Sequence, residues 1–153
     1  HQTEQDLTIY AADNQYARHI GESSKGVKIG YPSEATAHIR DGYFWNGEQK
    51  LCSTHAVTLV GEHNLTNAIA AINAVWQYTQ SPEAIEKGLG FKGLPHRLAY
   101  VETVRGIRYY DDSIATTPTS AVAAVDAFPD EHKVLILGGS SKGSDFSQLT
   151  FKL

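Results

Sequence analysis

Gly93-Leu94-Pro95-His96-Arg97 divides this 153-residue chain. Proline disfavours a helical residue before it, so no helix is expected to run through the segment. Ahead of it lie β-prone runs and two helical patterns; behind it a fresh alternation of strand, helix and strand begins. The segment therefore reads as a joint between two domains. Arg97 stands beside a rigid turn, where a guanidinium can clamp phosphate or carboxylate with paired planar donors. An ordinary loop carrying a surface arginine is the alternative that these five residues leave open.

Composition narrows the class. Hydrophobic residues make up 41% of the chain and charged residues 20%, values of a globular protein. The length suits one domain with a core, or parts of two. A net charge of -4 argues against a nucleic-acid partner, which calls for a basic face. Cys52 is the single cysteine, so no internal disulfide forms and a reducing compartment, the cytoplasm, is expected. No apolar run reaches membrane-spanning length, and the opening residues are polar. The chain contains no Met and stops at Thr150-Phe151-Lys152-Leu153, early in a helical pattern; a piece cut from a longer protein is the expectation.

Leu7–Ala12 reads as a strand closed by Asp13-Asn14, Gln15–Ile20 as a short helix, and Val27–Tyr31 as a strand stopped by Pro32. Between positions 35 and 60 the expectation is a small antiparallel meander with strands at Thr36–Arg40, Tyr43–Trp45, Gln49–Leu51 and Ala56–Val60. Asp41-Gly42 and Asn46-Gly47 supply its positive-φ turns. Leu65, Ala68, Ile69, Ile72, Val75 and Trp76 recur at helical spacing. Ser81-Pro82-Glu83 starts a second helix with a serine cap and proline at the first position, ending near Gly88 or Gly90. Past the joint, Ala99–Val104 and Ile107–Tyr110 flank Arg105-Gly106. Thr117-Pro118 opens a helix with Ala121, Val122, Val125 and Phe128 on its apolar side. Lys133–Leu137, continuous in apolar residues and followed by Gly138-Gly139, is expected to be a central parallel strand. Such an order belongs to nucleotide-binding α/β domains, which hold ligands at the carboxyl ends of their strands.

Four polar clusters fall at element ends. Asn64 and Asn67, three apart, share a helix face and carry the donor-plus-acceptor amides that an adenine edge needs; a capping Asn64 and a solvated Asn67 would serve equally. Arg97 is the second. Asp111-Asp112-Ser113, followed by Thr116-Thr117, offers carboxylates to ribose hydroxyls, or a cap to the next helix. Gly138-Gly139-Ser140-Ser141-Lys142-Gly143-Ser144-Asp145 is a flexible loop whose Lys142 suits an anionic substrate. G-x-x-x-x-G-K-[ST] does not occur, and G-x-G-x-x-G matches only at Gly88–Gly93, at the end of a helical pattern rather than between a strand and a helix. Seven histidines show no metal-ligand spacing, so no metal site is expected from this chain.

In order, G-E-H-N-L-T-N (61–67), G-L-P-H-R (93–97), Y-D-D-S-I-A-T-T-P (110–118) and G-G-S-S-K-G-S-D-F (138–146) resemble the Mur ligase family, and within it the members that add D-glutamate. The resemblance runs from the strand at Leu7 to the end. It implies an α/β architecture: residues 1–94 as the C-terminal part of the central ATP-binding domain, with a small antiparallel sheet and helices, and residues 95–153 as the N-terminal part of a Rossmann-like C-terminal domain. It implies ATP contacts from Asn64, Asn67, Arg97 and Asp112, and D-glutamate contacts from Thr116 and Lys142, with no catalytic residue in this span. The implied reaction activates UDP-N-acetylmuramoyl-L-alanine as an acyl phosphate, with ATP and Mg²⁺, for attack by the D-glutamate amine. Positioning and charge neutralisation dominate such chemistry. One departure stands out: Ile114 occupies the place where many members carry lysine. The phosphate-binding loop and metal ligands of the family are expected upstream of His1, so this span alone is expected to be inactive, and the full-length parent a monomer. A stand-alone nucleotide-binding or interaction module is the competing class; an oxidoreductase fragment is disfavoured because no glycine fingerprint follows a strand. Two incomplete parts also imply exposed apolar surface.

Overall fold

A computed structural model describes residues 2–152. The chain divides into two compact units, one of residues 1–58 with 64–91, the other of residues 59–63 with 92–153.

The first unit begins with β1 (Leu7–Ala11), α1 (Gln15–Ser23) and β2 (Val27–Tyr31), with β1 and β2 paired in parallel. Asn14 caps α1: its side-chain oxygen accepts from the Ala17 amide at 2.9 Å, satisfying an orphan donor of the first turn. A second sheet follows, β3 (Ala37–Arg40), β4 (Tyr43–Asn46) and β5 (Gln49–Ser53), antiparallel in the order 3-4-5. Its turns follow the sequence chemistry. Asp41 and Gly42 both hold positive φ, 52° and 76°, as a two-residue type I′ hairpin requires. Gly47 at 53° opens the next turn. The expected fourth strand at Ala56–Val60 is absent. A 3-10 turn at Thr54–Ala56 takes in its first residue, held by the Ser53 side chain on the His55 amide, a local bond that competes with strand pairing there; 57–60 join no strand.

α2 (His63–Val75) and α3 (Pro82–Leu89) complete the unit. Ala68, Ile69 and Ile72 from α2 and Ile85 from α3 are buried with Ala37, Phe44, Leu51 and Cys52 of the sheet, and Leu65 and Trp76 pack against them. Val75, expected on this face, is 40% exposed. Asn73 on α2 is buried, its Oδ1 accepting from the Ala37 amide at 3.1 Å, which ties the helix to the first strand of the meander. Ser81 caps α3 through the Ala84 amide, and Gly90 ends it.

The second unit is slighter. β6 (Ala99–Val104) and β7 (Ile107–Asp111) form an antiparallel ribbon, turned by Arg105 and Gly106 at φ 51° and 81°. α4 (Pro118–Asp126) is capped by Thr117, and the four-residue α5 (Ser147–Thr150) packs on it. Ala121, Val125 and Leu149 are its buried residues. Phe128 falls beyond α4 and stacks on the Tyr110 ring, with centroids 4.7 Å apart. Lys133–Leu137 is not a strand: it pairs with nothing among the described residues, and Val134 and Ile136 are 92% and 91% exposed. An all-apolar run becomes a parallel strand only between neighbours that cover both faces, and β6 and β7 pair only with each other. The fold is a mixed α/β one of small sheets and helices, with two parallel strands, β1 and β2, at its start.

Candidate functional site

Asn64 and Asn67 lie in the first turns of α2, and the Asn67 amide nitrogen donates to Asn64 Oδ1 at 3.2 Å. Since α2 begins at His63, Asn64 is inside the helix rather than its cap. The pair shares one helix face, as the three-residue spacing requires.

The remaining motif residues belong to the second unit. The joint loop is pinned to the turn after β7 by three bonds. His96 Nδ1 meets Asp111 Oδ2 at 2.7 Å, Asp112 Oδ1 accepts from the Leu98 amide at 2.9 Å, and the His96 carbonyl accepts from the Ile114 amide at 3.3 Å. Asp111 Oδ1 also accepts from the Ser113 amide at 2.9 Å. The His96 hydrogen bond, then the Ser113 amide, holds the Asp111 carboxyl well below the usual carboxylate range, at about 2. The backbone on either side of Arg97 is left-handed, with φ of 63° at His96 and 43° at Leu98. Such values cost a non-glycine residue roughly 1–3 kcal/mol and persist where surrounding contacts over-determine them. Arg97 itself is exposed, and its guanidinium makes no hydrogen bond or ion pair among the described residues.

Asp112 is half-buried, with one oxygen engaged by Leu98. Thr116 is exposed one residue before the cap of α4. Lys142 is exposed at φ 49° in the loop that follows the apolar run. The second unit thus gathers Arg97 and Asp112 at one loop-to-turn junction, while Thr116 follows the same turn.

No family model matches the chain. Among curated proteins, the UDP-N-acetylmuramoylalanine--D-glutamate ligase of Geobacillus kaustophilus is 35% identical across 97% of this chain. The ligase of the same name from Bacillus subtilis is 34% identical over the same share, and that of Clostridium perfringens 29% over 99%. The chain belongs to the Mur ligase family. It spans about a third of the length of these relatives, 34% in each case.

The sequence reading gave His96 no role and took Asp111 only with Asp112 as a carboxylate for ribose, so the contact between the two was missed. Both stand inside the motifs already singled out, and the signal was an imidazole and a carboxylate one residue away from Arg97 and Asp112. Among the described residues no group of three His, Cys, Asp or Glu side chains gathers to hold a metal ion. A cavity of about 470 Å³ in the first unit, lined by Pro32, Ser33, Glu34, His38, Ile39, Arg40 and Ile69, takes in none of the motif residues.

Proposed function

We propose that this chain is a segment of an ATP-dependent, ADP-forming amide ligase of peptidoglycan precursor synthesis, which adds D-glutamate to UDP-N-acetylmuramoyl-L-alanine. The observation that carries the reading is 35% identity to a curated D-glutamate ligase, sustained over 97% of the chain, with four polar motifs in the order the family uses. Residues 1–94 are assigned to the end of the central domain and 95–153 to the start of the C-terminal domain. Asn64 and Asn67 offer amides to the adenine edge, Arg97 offers paired donors to the nucleotide, and Asp112 keeps one carboxylate oxygen for ribose hydroxyls. Thr116 and Lys142 are assigned to the D-glutamate carboxylates. In the parent enzyme the acceptor carboxylate takes the γ-phosphoryl of ATP, the D-glutamate amine attacks the acyl carbon, and phosphate leaves. Binding and positioning are this segment's share of that work, and it carries no ligase activity alone. The reaction belongs in the cytoplasm, where buried, unpaired Cys52 stays reduced.

Ile114 matters to specificity. It is 44% exposed and brings no charge, so Lys142 is the cation assigned here to the incoming amino acid. The test is phosphate release by the full-length parent with UDP-N-acetylmuramoyl-L-alanine as acceptor and D-glutamate, L-lysine, meso-diaminopimelate or L-alanine as the amine. Turnover with D-glutamate alone is the expected result. Turnover with another amino acid would move the enzyme to a different step, and turnover with none would favour a nucleotide-binding module.

A further inference from the structure

Arg97 owes its placement to its backbone. Its guanidinium has no partner among the described residues, while both neighbouring residues hold left-handed φ. The bonds that maintain this backbone come from the turn at 111–114, and Asp111 supplies one of them while also bonding within that turn. Oδ2 meets the His96 imidazole at 2.7 Å, and Oδ1 accepts from the Ser113 amide at 2.9 Å. One carboxylate therefore fastens the joint loop with one oxygen and braces its own turn with the other. Asp112 contributes next door through the Leu98 amide, so the residue proposed for ribose shares a frame with the residue proposed for the nucleotide.

We propose that Asp111 is a positioning residue for Arg97: by clamping His96 it holds the joint in the conformation that presents the guanidinium to the nucleotide. This rests on the reading of Arg97 as a nucleotide contact. A side chain that is exposed and otherwise unattached keeps its direction only as long as the backbone beneath it does. Release of His96 lets residues 96–98 relax out of their left-handed conformations, and the guanidinium turns with them. The lowered pKa of Asp111 agrees with a carboxylate kept ionised for this contact.

The experiment uses the full-length parent, with KM for ATP and for D-glutamate measured in D111A, D111N, R97A and the D111A/R97A double variant. D111A is expected to raise KM for ATP by about tenfold, the scale of a lost charge-assisted hydrogen bond, and to move KM for D-glutamate less than about twofold. D111N keeps an acceptor for Ser113 and offers its amide to the other imidazole tautomer, so it should recover part of the loss; it also serves if D111A does not fold. Adding D111A to R97A should change KM for ATP by less than about twofold, because two residues acting through one contact are not additive. Full multiplication of the two effects would overturn the proposal, as would D111A and D111N that lower Tm and leave KM for ATP untouched. An R97A variant with unaltered KM for ATP would remove the nucleotide role of Arg97 and the proposal with it. A rise in R97A with none in either Asp111 variant would sink the clamp alone.

Discussion

The two units of this chain solve burial differently. In the first, Phe44 and Ile72 are 0% and 1% exposed and belong to an eight-residue core drawn from β3, β4, β5, α2 and α3. In the second, three residues from α4 and α5 are buried, while Tyr100, Val101, Ile107, Val134 and Ile136 are each more than half exposed. The contrast does not lie in apolar content, since Lys133–Leu137 is as apolar as any run in the chain. It lies in partners: the meander's strands pair with the strands next to them in sequence, and α2 and α3 cover the resulting face. Each strand of the β6–β7 ribbon has a neighbour on one side only, and a two-stranded ribbon buries little on its own. Hydrophobicity makes burial favourable; neighbours make it possible.

The largest effect expected from this comparison is in the core. Ile72→Ala should cost about 3 kcal/mol, and Val125→Ala in the second unit about 1–2 kcal/mol, because fewer packed atoms surround the latter. Urea unfolding followed by Trp45 and Trp76 emission reports the first unit, and tyrosine or amide signals report the second. Equal costs at the two sites would erase the distinction.

A smaller effect is expected from acid. The Asp111 carboxyl sits at about 2 in the folded chain against 3.8 ordinarily. A folded-state value below the unfolded one stabilises fully above pH 3.8, and that contribution is lost as pH falls through about 2. The second unit should therefore loosen across this window by its His96 ring and Ser113 amide signals. Asp111→Asn should flatten the change, and an unaltered profile in that variant would mean other carboxylates govern it.

The smallest effect is expected in the exposed run. Val134→Lys and Ile136→Lys should shift unfolding by no more than about 0.5 kcal/mol while raising solubility, as a charge does in an unpaired β-prone segment. A loss above about 2 kcal/mol, the scale of a buried site, would show that the run is covered after all.

Much of the local structure was legible beforehand. Asp41-Gly42 and Arg105-Gly106 mark turns whose residues do hold positive φ. Ser81-Pro82 and Thr117-Pro118 open helices with the expected caps. Where reading by pattern failed, a nonlocal or competing contact was at stake. Ala56, the first residue of an expected strand, went to a turn that Ser53 organises. Lys133–Leu137 met no strand. For the candidate site, Arg97 and Asp112 could be picked out because glycine, proline and paired acids punctuate the sequence around them. The clamp from Asp111 to His96 spans fifteen positions and has no periodicity to betray it.

By itself, then, the sequence determined where this chain turns, caps and breaks, and which residue types stand at those breaks, because those preferences are set within a few bonds of each backbone angle. The tertiary structure alone decided which apolar runs found cover and which carboxylate took which donor. Those outcomes depend on what lies beside a residue in space, and loop closure can bring any of several distant groups there at little difference in entropy.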